Sequence, residues 1–171
     1  MKWMRHLDHY VNEILEQVTS FGGMFFHLFL ICFMFALGEI ILSLQLFASF
    51  ILTYAVTLVL RLAHFRDRPK KLAYSNIIEK VEASSFPSLH SMRVSAIFCL
   101  FYLFYGPGLV SLIFLGTALA VFLSRHWLKK HHPSDILAGA ILGVLVGIFV
   151  AGLGFGGLES LVESVVLGVA G

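Results

Sequence analysis

The chain has 171 residues, of which 58% are hydrophobic and 13% charged, with a net charge of +2. Soluble domains run nearer ~45–50% apolar and ~25% charged, so the composition excludes an ordinary cytosolic enzyme and a disordered tail. The small net charge gives no footing for nucleic acid. Mean hydropathy is +0.89, enough apolar sequence for about five spans of ~20 residues.

Residues 1–20 are mixed. Trp3, Met4, Leu7, Val11, Ile14, Leu15 and Val18 recur at helical spacing, with Lys2, Arg5, Asp8, Glu13 and Glu16 between them. This pattern predicts an amphipathic helix, lying in the membrane interface or capping the bundle. From Phe21 to Leu62 the chain is apolar almost throughout, twice what one span needs. Gly38-Glu39, with Ser43 and Gln45 beyond, divides it into spans near 21–41 and 44–62. Residues 63–86 read as one long polar, basic loop. A third span is expected over 87–105, followed by a tight turn at Gly106-Pro107-Gly108. A fourth runs over 109–124, a basic loop over 125–133, and a fifth from Pro133, a favoured first-turn proline, to about 154. The tail, 155–171, is glycine-rich with Glu159 and Glu163. The expectation is an all-α membrane bundle in a single domain: an interfacial helix over 1–20, a five-span bundle over 21–154, and a short tail. No cleavable leader is visible. Cys32 and Cys99 fall in apolar runs and suggest neither a disulfide nor a zinc site.

Following the spans across the bilayer puts the N-terminal helix, the long loop and the 125–133 loop on one face. All twelve Lys and Arg residues then fall on that face. Three clusters there carry chemistry. They are Arg61 to Arg68-Pro69, then Pro87-Ser88-Leu89-His90, then Ser124-Arg125 with His131 and Asp135. Three guanidiniums, Arg61, Arg68 and Arg125, exceed what one carboxylate needs and suit a multiply charged tetrahedral oxyanion. Ser88 opens a helix whose free N–H groups also favour phosphate. His131 lies four residues before Asp135. A carboxylate so placed can hold one imidazole nitrogen as N–H and leave the other lone pair free to attack. His90 can protonate a departing oxygen. Such a set suits phosphoryl transfer through a phosphohistidine, with arginines neutralising charge in place of a metal. His126, His131 and His132 invite a metal reading, but no carboxylate or cysteine cluster completes it.

The three clusters resemble the signature of the phosphatidic acid phosphatase type 2 family, which includes vanadium haloperoxidases and glucose-6-phosphatase. That pattern is Lys-x6-Arg-Pro, Pro-Ser-Gly-His and Ser-Arg-x5-His-x3-Asp. The resemblance covers about 61–143. It implies His131 as nucleophile, Asp135 as its orienting partner and His90 as general acid. Arg61, Arg68, Ser88 and Arg125 would bind phosphate, and Ser124 would support the site. It also implies no cofactor, no metal and a lipid phosphate drawn from the bilayer. Three departures stand out. Arg61 replaces lysine, keeping charge. Leu89 replaces glycine, reshaping the pocket or lining it for a lipid tail. Five spans replace six, the first being the one missing.

The expected function is hydrolysis of a lipid phosphomonoester or diphosphate, of polyprenyl diphosphate or phosphatidylglycerol phosphate type. The alternatives are a lipid phosphotransferase of the same family, or a non-catalytic membrane protein binding phosphate or anionic lipid. The oligomeric state stays open. Positive charge places the catalytic face in the cytoplasm even after Arg61, Arg68 and Arg125 are set aside. Relatives acting on polyprenyl carriers commonly work on the outer face. A cysteine at position 79, probed with an impermeant thiol reagent, reports the side.

Other features read as packing. Gln45, Ser49, Thr53 and Thr57 recur every four residues, as do Gly139, Gly143, Gly147 and Ala151; both look like helix contacts. Arg93 reaches back to the site or snorkels. His64 and His126 are loop residues near the mouth of the site. His6, His9, His27 and Glu39 receive no catalytic role.

Overall fold

The protein was analysed as a computed structural model, which describes residues 2–158, 162, 164 and 165, the side chains of 2–8 excepted. Glu159 and Glu163 lie outside the described residues, as do the side chains of Lys2, Trp3, Met4, Arg5, His6 and Leu7.

The described residues form, in order, the α-helices α1 (Lys2–Thr19), α2 (Met24–Ala36), α3 (Ile40–Ala63), α4 (Ile77–Ala83), α5 (Leu89–Tyr105), α6 (Leu109–Trp127) and α7 (Pro133–Ala151). A short 3-10 turn, Ser20–Gly22, joins α1 to α2. The five apolar helices are those anticipated, and the chain crosses the membrane several times. Their lengths refine the count. α3, α6 and α7 are each long and apolar enough to span alone. α5 has 17 residues and α2 only 13, about 26 Å and 20 Å against a hydrocarbon core of ~30 Å. The α1 segment from His9 to Gly22 and α2 pass as a span only as a pair bent by 49°. Among the described residues, five helices are apolar, and three of them, or four spans if the bent pair is one, are long enough to cross.

The second difference lies in the long loop, which holds α4. Asn76 caps α4 through its side-chain oxygen on the Glu79 amide, and Glu79 reaches back to the Ser75 amide and hydroxyl. This is a capping box shifted by one residue, and it nucleates a helix too short to form alone.

α5 is the hub, packed on α7, α6 and α3. Nearly every residue from Ser91 to Phe101 is buried, so the helix has neighbours all round. Its contact with α7 uses the small-residue face. A Cβ on Gly143 would collide with the Met92 carbonyl oxygen, and one on Gly147 would stand 2.7 Å from the Cys99 Cβ. The opposite face of α7, with Leu137, Ile141, Leu145 and Phe149, stays exposed and meets lipid. On α3, Gln45, Ser49, Thr53 and Thr57 are all buried. Ser49 faces His27, and the Thr57 hydroxyl lies 3.8 Å from the Met92 sulfur. Both stripes are helix contacts, as expected. Gly106, at φ 74°, ends α5 and turns the chain into α6.

Candidate active site

At the basic end of the bundle, a cavity of about 270 Å³ is lined by Arg61, Arg68, Glu82, Leu89, His90, Arg125 and His131. Each wall has a local origin. Arg61 ends α3. Leu89 and His90 form the first turn of α5, so that helix N-terminus opens at the cavity. Arg125 ends α6. The chain then passes through Lys129 at φ 52°. That turn carries the Lys130 and His131 amides back onto the Arg125 carbonyl, at 3.2 and 3.3 Å. His131 is thereby held over Arg125.

The three arginines are fastened from behind. Arg61 donates to the Val81 and Pro87 carbonyls at 3.2 and 3.1 Å. Arg68 donates to the Glu82 carbonyl. Arg125 donates to the Thr19 hydroxyl at 3.2 Å and to His131 Nε2 at 3.1 Å. Each Nε is buried without a partner. Among the described residues, none of the three forms an ion pair with a carboxylate. Glu82 offsets part of their mutual repulsion. Burial lowers the Arg68 pKa, with Glu82 acting against it. Concentrated, desolvated positive charge of this kind calls for an anion.

His131 is 2% exposed, and its protonation pattern follows from its partners. Nδ1 lies 2.7 Å from the Ser85 carbonyl, which can only accept, so Nδ1 carries the proton. Nε2 receives the Arg125 guanidinium, which can only donate, so Nε2 holds a lone pair. Burial first, then the positive charge of Arg125 and Arg68, pushes the His131 pKa down to about 2, against the pull of the Ser85 carbonyl. The ring is neutral, and its Nε2 lone pair is engaged by Arg125.

The other anticipated residues stand around this cavity rather than in it. Ser88 is fully buried and caps α5: its hydroxyl oxygen accepts from the Ser91 hydroxyl at 2.9 Å and its amide donates to the Asp135 carbonyl. Ser124 bonds back to Val121 within its own helix. Asp135 differs from expectation. Its carboxylate takes Arg66 Nη1 at 2.7 Å and the His132 amide at 2.9 Å, while the Ser85 carbonyl occupies His131 Nδ1. An intervening backbone carbonyl has taken the place anticipated for the carboxylate. Arg93 does not snorkel. It is 2% exposed, donates to the Gly22 carbonyl and lies over Tyr54, 4.4 Å from the ring centroid. His64 and His126 are exposed and do not line the cavity.

The cavity shares Arg61, Glu82 and Leu89 with a larger one of about 410 Å³ between α3 and α4. Tyr54, Leu58, Leu62, Ile77, Ile78 and Val81 line that second space, which is largely apolar. Ile77 and Ile78 stay exposed on α4. Sequence reasoning missed Arg66, Ser85, Glu82 and Thr19. Only Glu82 had a visible signal, as part of the Asn76-x-x-Glu79 helix that was read as loop.

A multi-pass helix bundle with an arginine-walled cavity at one end defines an integral membrane protein. The chain belongs to the PAP2 superfamily, whose family model matches residues 42–155, well over half of its length. It is similar to the bacitracin transport permease protein BcrC of Bacillus licheniformis, 40% identical over 76 residues. That match covers 44% of this chain and 36% of the relative, so the matched segment spans about a third of that protein's length. It is also similar to the transmembrane PAP2-type phosphatidylglycerolphosphate phosphatase of Bacillus subtilis, with a TM-score of 0.50 and 25% identity. There the match covers 84% of this chain and 76% of the other.

Proposed function

We propose that this protein is a membrane lipid phosphatase that hydrolyses a lipid phosphomonoester or diphosphate through a phosphohistidine on His131, without a metal. The observation that carries the reading is the junction of the two cavities. A pocket lined by three arginines and two histidines shares Arg61, Glu82 and Leu89 with a largely apolar groove between α3 and α4. Phosphate binds among the arginines while the hydrocarbon chain lies along α3 and α4.

The chemistry follows from the atoms present. The lone pair on His131 Nε2 attacks phosphorus. The bond from phosphorus to the leaving oxygen breaks, and that oxygen takes a proton from His90, which enters the reaction as imidazolium, its charge balanced by the bound phosphate. Arg61, Arg68 and Arg125 neutralise charge on the three remaining oxygens, aided by the N-terminus of α5. Water then attacks the phosphorus of phosphohistidine and gives its proton to His90. The N–P bond breaks, and phosphate leaves. Arg125 engages the Nε2 lone pair, so substrate must draw that guanidinium onto phosphate before attack. The likeness to a phosphatidylglycerolphosphate phosphatase supports phosphatidylglycerol phosphate as substrate, with a polyprenyl diphosphate as the second candidate.

Phosphate release from both lipids and from phosphatidic acid, measured in detergent with a chelator, tests this reading. His131→Ala is expected to abolish release. Turnover that survives that substitution, or that requires a divalent cation, overturns it.

A further inference from the structure

We infer that Arg66 is a positioning residue that links Asp135 to the nucleophile through the carbonyl of Ser85, an assignment that rests on the reading of His131 as nucleophile. Arg66 lies two residues before the phosphate-site Arg68, yet it does not line the cavity. Its side chain grips the start of α7, donating to Asp135 Oδ1 at 2.7 Å and to the Ser134 hydroxyl at 2.8 Å. Its backbone grips the segment before α5. The Arg66 amide donates to the Ser84 hydroxyl at 3.3 Å, and its carbonyl accepts from the Ser85 amide at 2.8 Å.

Ser85 is held a second time, by its hydroxyl on the Asp67 carbonyl at 3.1 Å. With its amide and hydroxyl so fixed, the Ser85 carbonyl is aimed at His131 Nδ1, 2.7 Å away. Ser84, Ser85 and Asp135 are fully buried, while the Arg66 side chain is partly exposed. The other Asp135 oxygen takes the His132 amide, next in sequence to the nucleophile. Asp135 thus closes a ring. One arm runs directly to the backbone beside His131, and the other runs through Arg66 and Ser85 to the imidazole. A carboxylate four residues from a histidine ordinarily suggests a direct pair. Here the carboxylate sets the tautomer at one remove, and the guanidinium between them is part of the device.

The outer groups that orient a functional histidine commonly matter 10- to 100-fold. Arg66→Met and Asp135→Asn are therefore each expected to lower kcat by about 10- to 100-fold, while KM and vanadate affinity stay within about threefold, because neither side chain touches phosphate. The double variant is expected to fall no further than the worse single one, since both cut the same ring. Arg66→Lys, which keeps the charge, is expected to recover part of the loss. Lys71→Ala removes only an exposed pair with Asp67 and is expected to match wild type.

A second readout does not need turnover. Histidine ¹⁵N chemical shifts in detergent are expected to show His131 as the Nδ1–H tautomer in wild type and as a tautomer mixture in Arg66→Met. An Arg66→Met protein with kcat within twofold of wild type and an unchanged tautomer overturns the assignment. So do losses that multiply in the double variant, or vanadate affinity that falls in step with kcat. A wild type that releases no phosphate, with the tautomers behaving as stated, sinks the phosphatase reading and leaves the positioning network standing.

Discussion

Arg125→Met separates function from stability at the centre of the site. Arg125 is 6% exposed, has no carboxylate partner among the described residues, and lies near two half-buried cations, Arg61 and Arg68. It makes two hydrogen bonds, to Thr19 and to His131, each contributing about 1 kcal/mol. Replacing buried ionic groups by apolar residues of similar volume has proved neutral or stabilising by about 1–4 kcal/mol. The two effects nearly cancel, leaving a net change between about −2 and +2 kcal/mol. Catalysis has no such offset. Loss of one preorganised donor to a developing oxyanion lowers kcat by about 10²–10³. Thermal unfolding in detergent and phosphate release from one lipid, measured on the same preparation, check both halves. Vanadate sharpens the comparison: at 100 Kd it stabilises a binding-competent protein by about 2.7 kcal/mol, and this gain is expected to vanish in the variant. A variant that loses more than about 3 kcal/mol of stability yet keeps kcat within threefold would mean that Arg125 is a structural residue, and the reasoning would fail.

Three further outcomes follow from other parts of the molecule. The native pKa of His131 lies far below that of an unfolded histidine. Below about pH 6.5 the unfolded chain therefore takes up a proton that the native site refuses, and stability falls by about 1.4 kcal/mol per pH unit from this residue. His131→Asn is expected to flatten the slope by that amount between about pH 6 and 4, and equal slopes in the two proteins would contradict the burial argument. Gly143→Leu forces α5 and α7 apart at Met92 and Ser95. It is expected to cost about 1–3 kcal/mol and to depress activity, whereas Gly116→Ala, with open space around it, should leave both unchanged. Ile78→Asp places a charge on the exposed edge of the apolar groove. The KM for a lipid phosphate is expected to rise while that for a short water-soluble phosphate ester holds, and parallel changes in both would remove the groove from the substrate path.

Much of this organisation is legible in the sequence because lipid imposes simple rules. Apolar runs mark α2, α3, α5, α6 and α7, and Gly106-Pro107-Gly108 marks a turn. The glycines of α7 are spaced for close helix contact. Arg61, Arg68, His90, Arg125 and His131 could be gathered because order and spacing placed all five at one end of the bundle. What escaped depends on partners distant in sequence. Asp135 sits four residues from His131, and nothing local says that Ser85, 46 residues upstream, will reach the imidazole first. Arg66 looks like one more basic loop residue until Asp135 is seen against it. α4 was hidden because its polar cap and charged face match loop composition, although Asn76 and Glu79 carried the signal. Span lengths were blurred for a different reason: Phe21–Leu62 is apolar throughout, so hydropathy alone does not show that α2 stops at Ala36 and leaves a helix too short to cross.

The central claim is that His131 Nε2 becomes covalently bonded to phosphorus. Rapid acid-free quenching of the protein turning over a lipid phosphate labelled with ³²P, followed by peptide mapping, tests it most directly. An alkali-stable, acid-labile phosphoryl group on His131, absent from His131→Ala and released at the rate of turnover, is the predicted result. Turnover with no labelled protein, or with the label on another residue, would contradict it.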